Sequence, residues 1–140
     1  AARLDATSRA SSPPGTALGT AMHHGADLLA MQTNCWKRTL DISGDGKHNY
    51  GPHPRDVRDS LVAHGLTINA LVIGADTTGF GDRRQAEIGE LAAYFEAWVI
   101  LGSGAFVETA LGFDDYEAAM VRKLKRELEA PVLSFLRPTP

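Results

Sequence analysis

The chain is poor in several things, and each shortage excludes something. It has one cysteine, Cys35, among its 140 residues. An internal disulfide and a multi-cysteine metal site are therefore both excluded. No apolar run is long enough to cross a bilayer. The opening stretch, Ala1 to Pro14, lacks a basic start followed by an apolar run, so no signal peptide is visible there. Net positive charge is also lacking: the formal charge is -3 and the sequence pI about 5.9. Basic residues do gather late in the chain as Arg122, Lys123, Lys125 and Arg126. That run lies on a strongly periodic helix and reads as a solvated face, so no nucleic-acid partner is expected. There are no internal repeats. Gly44-Asp-Gly-Lys47 is no phosphate loop, because the four-residue spacer and the Ser/Thr after the lysine are missing.

What is present suits one globular domain, with 44% hydrophobic residues. Residues 1–14 read as a loop or the remnant of a preceding element, 15–130 as the folded part, and 131–140 as a C-terminal tail. A helix is expected from Thr16, with Leu18, Met22, Gly25 and Leu29 on one face. Trp36 to Ile42 alternates with period two and reads as a strand running into the turn-rich loop Ser43 to Asn49. A helix over Pro54 to His64 has proline in its first turn and Gly65 as its stop. Leu66 to Ile73 contains the apolar run of a strand covered on both faces. Gly74 to Asp82 reads as a loop, Arg84 to Phe95 as a helix, and Ala105 to Ala110 as a strand. The last helix is expected over Asp114 to Glu129 with Tyr116, Met120, Leu124 and Leu128 inward. Strands separated by helices imply an α/β fold, a three-layer doubly wound and mainly parallel sheet. Ligands of such sheets gather at the C-terminal ends of strands, where Ser43 to Asn49 is placed.

That loop carries the chemistry. In Asp41-Ile-Ser-Gly-Asp-Gly-Lys-His-Asn49 a strand delivers Asp45 into a turn with glycine on both sides, which lets backbone and ligand approach closely. A hard cation such as Mg²⁺ takes oxygen ligands and keeps several waters, so one carboxylate with nearby hydroxyls suits it. Thr16 is a candidate hydroxyl. Taken singly, each residue has a plainer reading: Thr16 as a helix cap and Asp45 as a turn residue bonding its own backbone. His23-His24, with His48 and His53, raises a zinc site only weakly, because adjacent helical residues point apart. Trp36, Tyr94, Phe95 and Trp98 read as core or half-buried aromatics.

Taken in order, Gly15-Thr-Ala-Leu-Gly19, a helix, a strand and Asp41-Ile-Ser-Gly-Asp-Gly46 resemble the later part of a von Willebrand factor A-type domain. The likeness is closer to one bacterial branch of that family, of unknown function. It extends through Gly65-Leu-Thr-Ile-Asn69, Val99-Ile-Leu-Gly-Ser-Gly-Ala-Phe-Val107 and Lys123-Leu-Lys-Arg-Glu127. The resemblance spans Gly15 to about Leu128, and it is the order and spacing of the pieces that make it specific.

The resemblance implies a metal-ion-dependent adhesion site. Thr16 and Asp45 would be two of its ligands, with Ser43, Lys47, His48 and Asn49 as a second shell or rim. The implied ion is Mg²⁺, or Mn²⁺ or Ca²⁺ in its place, and the implied partner is a protein offering an acidic side chain. It also implies a periplasmic or secreted setting. One departure stands out: the family's Asp-x-Ser-x-Ser loop is absent, and Asp5-Ala-Thr-Ser-Arg9 does not supply it. The N-terminal strands of the sheet are therefore expected to be missing, which leaves a costly edge. A truncated chain, a cleaved protein whose own N-terminal portion is separate, or a homo-oligomer would each answer this. The expected function is a non-catalytic binding module. The alternatives are a Mg²⁺-dependent phosphohydrolase-like enzyme, prompted by Asp41 and Asp45, and a structural fragment without a competent metal site.

Overall fold

A computed structural model describes Ser8, Ser11 and residues 14–74 and 81–129, without the side chains of residues 81–84 and 129. The expected N-terminal loop, most of the 74–82 loop and the 131–140 tail lie outside the described residues. In chain order the elements are α1 (Leu18–Ala30), β1 (Thr39–Gly44), α2 (Pro54–Leu61) with a 3₁₀ turn (Val62–His64), β2 (Thr67–Ile73), α3 (Gly81–Trp98), β3 (Val107–Ala110), a second 3₁₀ turn (Phe113–Asp115) and α4 (Tyr116–Glu129). The three strands form one parallel sheet in the order β1-β2-β3, with Thr39 level with Thr67 and Ala70 level with Val107. Helices flank it on both faces, the Rossmann-like α/β arrangement expected.

Strand alternation divides the sheet's side chains between two layers. On one face Ile42, Ile68, Ala70 and Val72 meet α1 (Leu18, Met22, Ala26), α2 (Val57, Leu61) and α3 (Leu91, Phe95, Val99) in the main core. Helix α1 lies close to β1 because Gly25 carries no side chain: a Cβ there would stand 2.5 Å from Leu40 Cδ1. On the other face Leu71, Ala110 and Ala119 form a smaller cluster under α4, with Tyr116 and Met120 beside it. The segment after α3 is held by an antiparallel bridge between Ile68 and Leu101.

Several local expectations are corrected. The first strand begins at Thr39, and Trp36 lies outside it at 77% exposure rather than in or beside the core. The third strand begins at Val107, because the Asn69 side chain accepts the Phe106 N–H where a ladder bond would start. The last helix turns a different face inward. Leu124 and Leu128 are exposed, while Ala119 and Lys123 are buried.

The burial of Lys123 has a specific partner set. Its Nζ lies 2.5 Å from Asp41 Oδ1 and 2.6 Å from Glu127 Oε1, and Asn69 Nδ2 donates to the same glutamate oxygen at 2.8 Å. A buried ammonium needs such compensation. Burial pushes the Asp41 carboxyl up from the ordinary aspartate value, despite the Lys123 contact pulling it down. Burial would raise Glu127 too, but hydrogen bonds from Lys123, Asn69 and Asp41 hold it low. The basic run is thus not simply a solvated face. Lys123 is in the interior, Arg122 pairs with Glu108 at 2.8 Å, and Arg126 lies 3.9 Å over the Phe106 ring.

Candidate functional site

Two loops far apart in sequence meet at the C-terminal end of β1. Asn49 joins them twice: its side-chain oxygen accepts the Thr16 N–H at 2.7 Å, and its own N–H donates to the Thr16 carbonyl at 3.1 Å. This reciprocal pair fixes the Thr16 backbone against the 45–53 loop. A Cβ on Gly46 would stand 3.8 Å from Thr16 Oγ1, so the hydroxyl sits beside the residue that follows Asp45. Thr16 is not the cap of α1. The N-cap position is Ala17, and the helix begins at Leu18.

The rest of the loop is braced from below. Gly19 is buried on α1, and a Cβ there would come within 2.1 Å of the Pro52 carbonyl oxygen, a clash no side chain escapes. His53 caps α2, its Nδ1 accepting the Arg55 N–H at 3.2 Å. The His48 ring meets His53 edge-on at 5.6 Å, and His53 meets Trp98 in the same way at 6.0 Å. His48 Nδ1 is buried without a hydrogen-bond partner among the described residues.

Asp45 is exposed at the mouth of a cleft of about 250 Å³, lined also by Lys47, Gly74, Glu87, Ile88 and Leu91. It opens between the ends of β1 and β2 and the middle of α3, where the open-sheet rule places ligands. Lys47 reaches across it to Glu90 and holds that carboxyl below the ordinary glutamate value by hydrogen bonding. Glu87 and Glu90 carry no signal in the sequence that ties them to the loop, since they stand some forty residues later on a helix. Ser43 is exposed on the same strand face as Asp41, one residue before β1 ends.

The sequence-predicted residues therefore divide. Thr16 and Asn49 are brought together with Gly46 beside the threonine hydroxyl, while Asp45 and Lys47 line the cleft. His48 turns into the loop's own packing, and Ser43 belongs to the α4 face of the sheet. Asp41 is taken up by Lys123. Asp45 at the cleft and Thr16 beside Gly46 offer hard oxygens, a carboxylate and a hydroxyl, which fit a Mg²⁺-class ion in chemistry. They are two in number, so water and further groups would have to complete an octahedron. Among the described residues no three of His, Cys, Asp and Glu come together to hold a metal, and His23 and His24 stand exposed on α1.

A family described as proteins of unknown function, DUF1194, matches residues 1–132. The chain belongs to the DUF1194 family. Neither the curated proteins nor the solved structures contain a match to it. The DUF1194 match takes in the first residues as well as the sheet and its helices.

Proposed function

We propose that this DUF1194 chain is a von Willebrand factor A-type binding module. In this reading Thr16 and Asp45 hold a Mg²⁺ ion, directly or through water, and a protein partner supplies an acidic side chain. The ion would supply a coordination position for that carboxylate. The chain's own residues do the rest. Asp45 contributes charge, Thr16 a neutral oxygen, and Asn49 fixes the distance between their loops. Lys47 flanks the cleft as a cation that an incoming carboxylate would meet.

The observation that carries the reading is the double hydrogen bond between Thr16 and Asn49. Nothing in the packing of the core demands that a threonine 33 residues away be clamped to Asn49. What favours binding over phosphohydrolase chemistry is the position of Asp41. It stands four residues before Asp45, about 13 Å along an extended chain, and its carboxylate is engaged by Lys123. A nucleophile and acid–base pair has to act on one group at hydrogen-bond reach.

Calorimetric titration with Mg²⁺ tests the reading on the chain, on Asp45→Ala and on Asn49→Ala. Saturable binding by the chain is expected, with complete loss in Asp45→Ala and weakening of about tenfold in Asn49→Ala. A folded chain that takes up no Mg²⁺, or an Asp45→Ala variant that binds as well as the parent, would rule the site out.

A further inference from the structure

The end of the sheet away from Asp45 holds a second recess, of about 110 Å³. Its walls come from the starts of strands and from α4. Lys37 lies two residues before β1, Thr67 opens β2, Phe106 precedes β3, and Arg126 stands in the last turn of α4. The turn residues Ser103 and Gly104 complete it. At about 30 Å³ for each water of the liquid, this is room for a small polyatomic group and not for a sugar or a base.

The cations here are placed but not spent. Arg126 lies 3.9 Å over the Phe106 ring, and Phe106 is itself buried, so the guanidinium rests on a fixed support. Stacking uses the face of that group and leaves its N–H edges. Neither Arg126 nor Lys37 forms an ion pair among the described residues. Glu127 also reaches the recess, but its Oε1 already accepts from Lys123 and Asn69. Lys123 in turn serves Asp41. Lys37, Lys123 and Arg126 therefore stand against Asp41 and Glu127, with one positive charge in excess.

Neutral donors gather at the same place. The Gly102 carbonyl accepts the Ala105 N–H at 3.2 Å, and Gly104 has a φ of 78°, which makes this a type II turn. A Cβ on Gly102 would stand 3.2 Å from Thr67 Oγ1, so the turn packs directly on the start of β2. The N–H groups of Ser103 and Gly104 make no hydrogen bond among the described residues. A Cβ on Gly104 would meet nothing within 4 Å, which leaves the backbone there open to a ligand. Ser103 and Thr67 each bring a hydroxyl to the lining.

We propose that this recess binds a phosphate group, as the free ion or as the end of a small monoester. Arg126 offers paired N–H donors to two phosphate oxygens, Lys37 a mobile cation, and the turn a set of neutral donors. A carboxylate has two oxygens and would leave part of this set idle, whereas a phosphate group presents at least three acceptors. Lys37 and Ser103 are exposed, so the remainder of a monoester would extend into solvent. The recess lies at the opposite end of the strands from Asp45 and does not depend on the metal reading.

Calorimetric titration of the full chain with inorganic phosphate and with glycerol 3-phosphate tests this, with a chelator present and at low ionic strength. Saturable binding of at least one of them in the millimolar range or tighter is expected, and the preferred one tells free ion from monoester. Arg126→Gln and Lys37→Gln should each weaken it by at least about tenfold. Lys37 is exposed, so the circular dichroism of Lys37→Gln should match the parent. Lys125→Gln removes the same charge from α4 outside the recess and should change binding by less than about twofold. A folded chain without saturable binding overturns the proposal. Equal losses in Lys125→Gln and Lys37→Gln also overturn it, because they leave only a general attraction to positive surface.

Discussion

The two faces of the sheet are closed by different chemistry. Under α1, α2 and α3 the contacts are apolar throughout, from Met22 to Val99, and three helices share the burial. Under α4 a cluster of three buried residues lies beside an ammonium, two carboxylates and an amide. The first face is held by area removed from water, which has no direction and tolerates small shifts. The second is held by hydrogen-bond geometry, which fixes α4 over one position of the sheet but gains little net energy from the charges themselves. A helix that covers its sheet alone needs the positional device more than a helix flanked by others.

Substitutions separate the two. Phe95→Ala should have the largest effect, since Phe95 is fully buried and its ring backs Gly44 at the end of β1. A loss of about 3–5 kcal/mol in urea unfolding is expected. A loss under 1 kcal/mol would mean that the apolar face is not the main source of stability. Lys123→Met should follow, at about 2–4 kcal/mol, below the full cost of stranding buried charge because Asp41 is partly solvated. Adding Asp41→Asn and Glu127→Gln should restore most of that loss. If the triple variant is as weak as the single one, the cluster acts through shape and not charge.

The smallest effect expected is in pH dependence. Glu127 is held below its ordinary value, so its contribution is present above about pH 4.5 and lost as pH falls. Asp41 is shifted the other way, and its contribution fades as pH rises above about 3.8. In Glu127→Gln the acid-side decline of the urea midpoint should be shallower than in the parent. Equal slopes from about pH 3 to 6 would show that the glutamate's shift has no part in folding.

The same contrast governs what the sequence made legible. Apolar periodicity predicted α1, α2 and β2 well, because their packing is the kind that periodicity records. It placed α4 correctly along the chain but rotated it, since Lys123 is of a type almost never fully buried. The stripe of Tyr116, Met120, Leu124 and Leu128 is real, and its outer half is exposed. Trp36 was misread for a related reason: alternation continued past the point where β1 leaves its partner. At the site, a pairing of Thr16 with Asp45 is an expectation that only the family resemblance supplies. The clamp by Asn49 was not, because a side chain that bridges two loops leaves no spacing in either. The cleft wall from α3 was equally silent, being set by the crossover from β2 and not by any local pattern.

The contact between Gly19 and Pro52 has a consequence for how the site can evolve. With backbone against side-chain-free helix, α1 and the 45–53 loop behave as meshed gears with a single tooth. A residue added between Lys47 and Pro52 would not be absorbed as surface slack. It would either slide α1 along β1, carrying Thr16 with it, or disengage the pair. Variation at the cleft should therefore accumulate in what lines it from α3, while the length of this loop stays fixed.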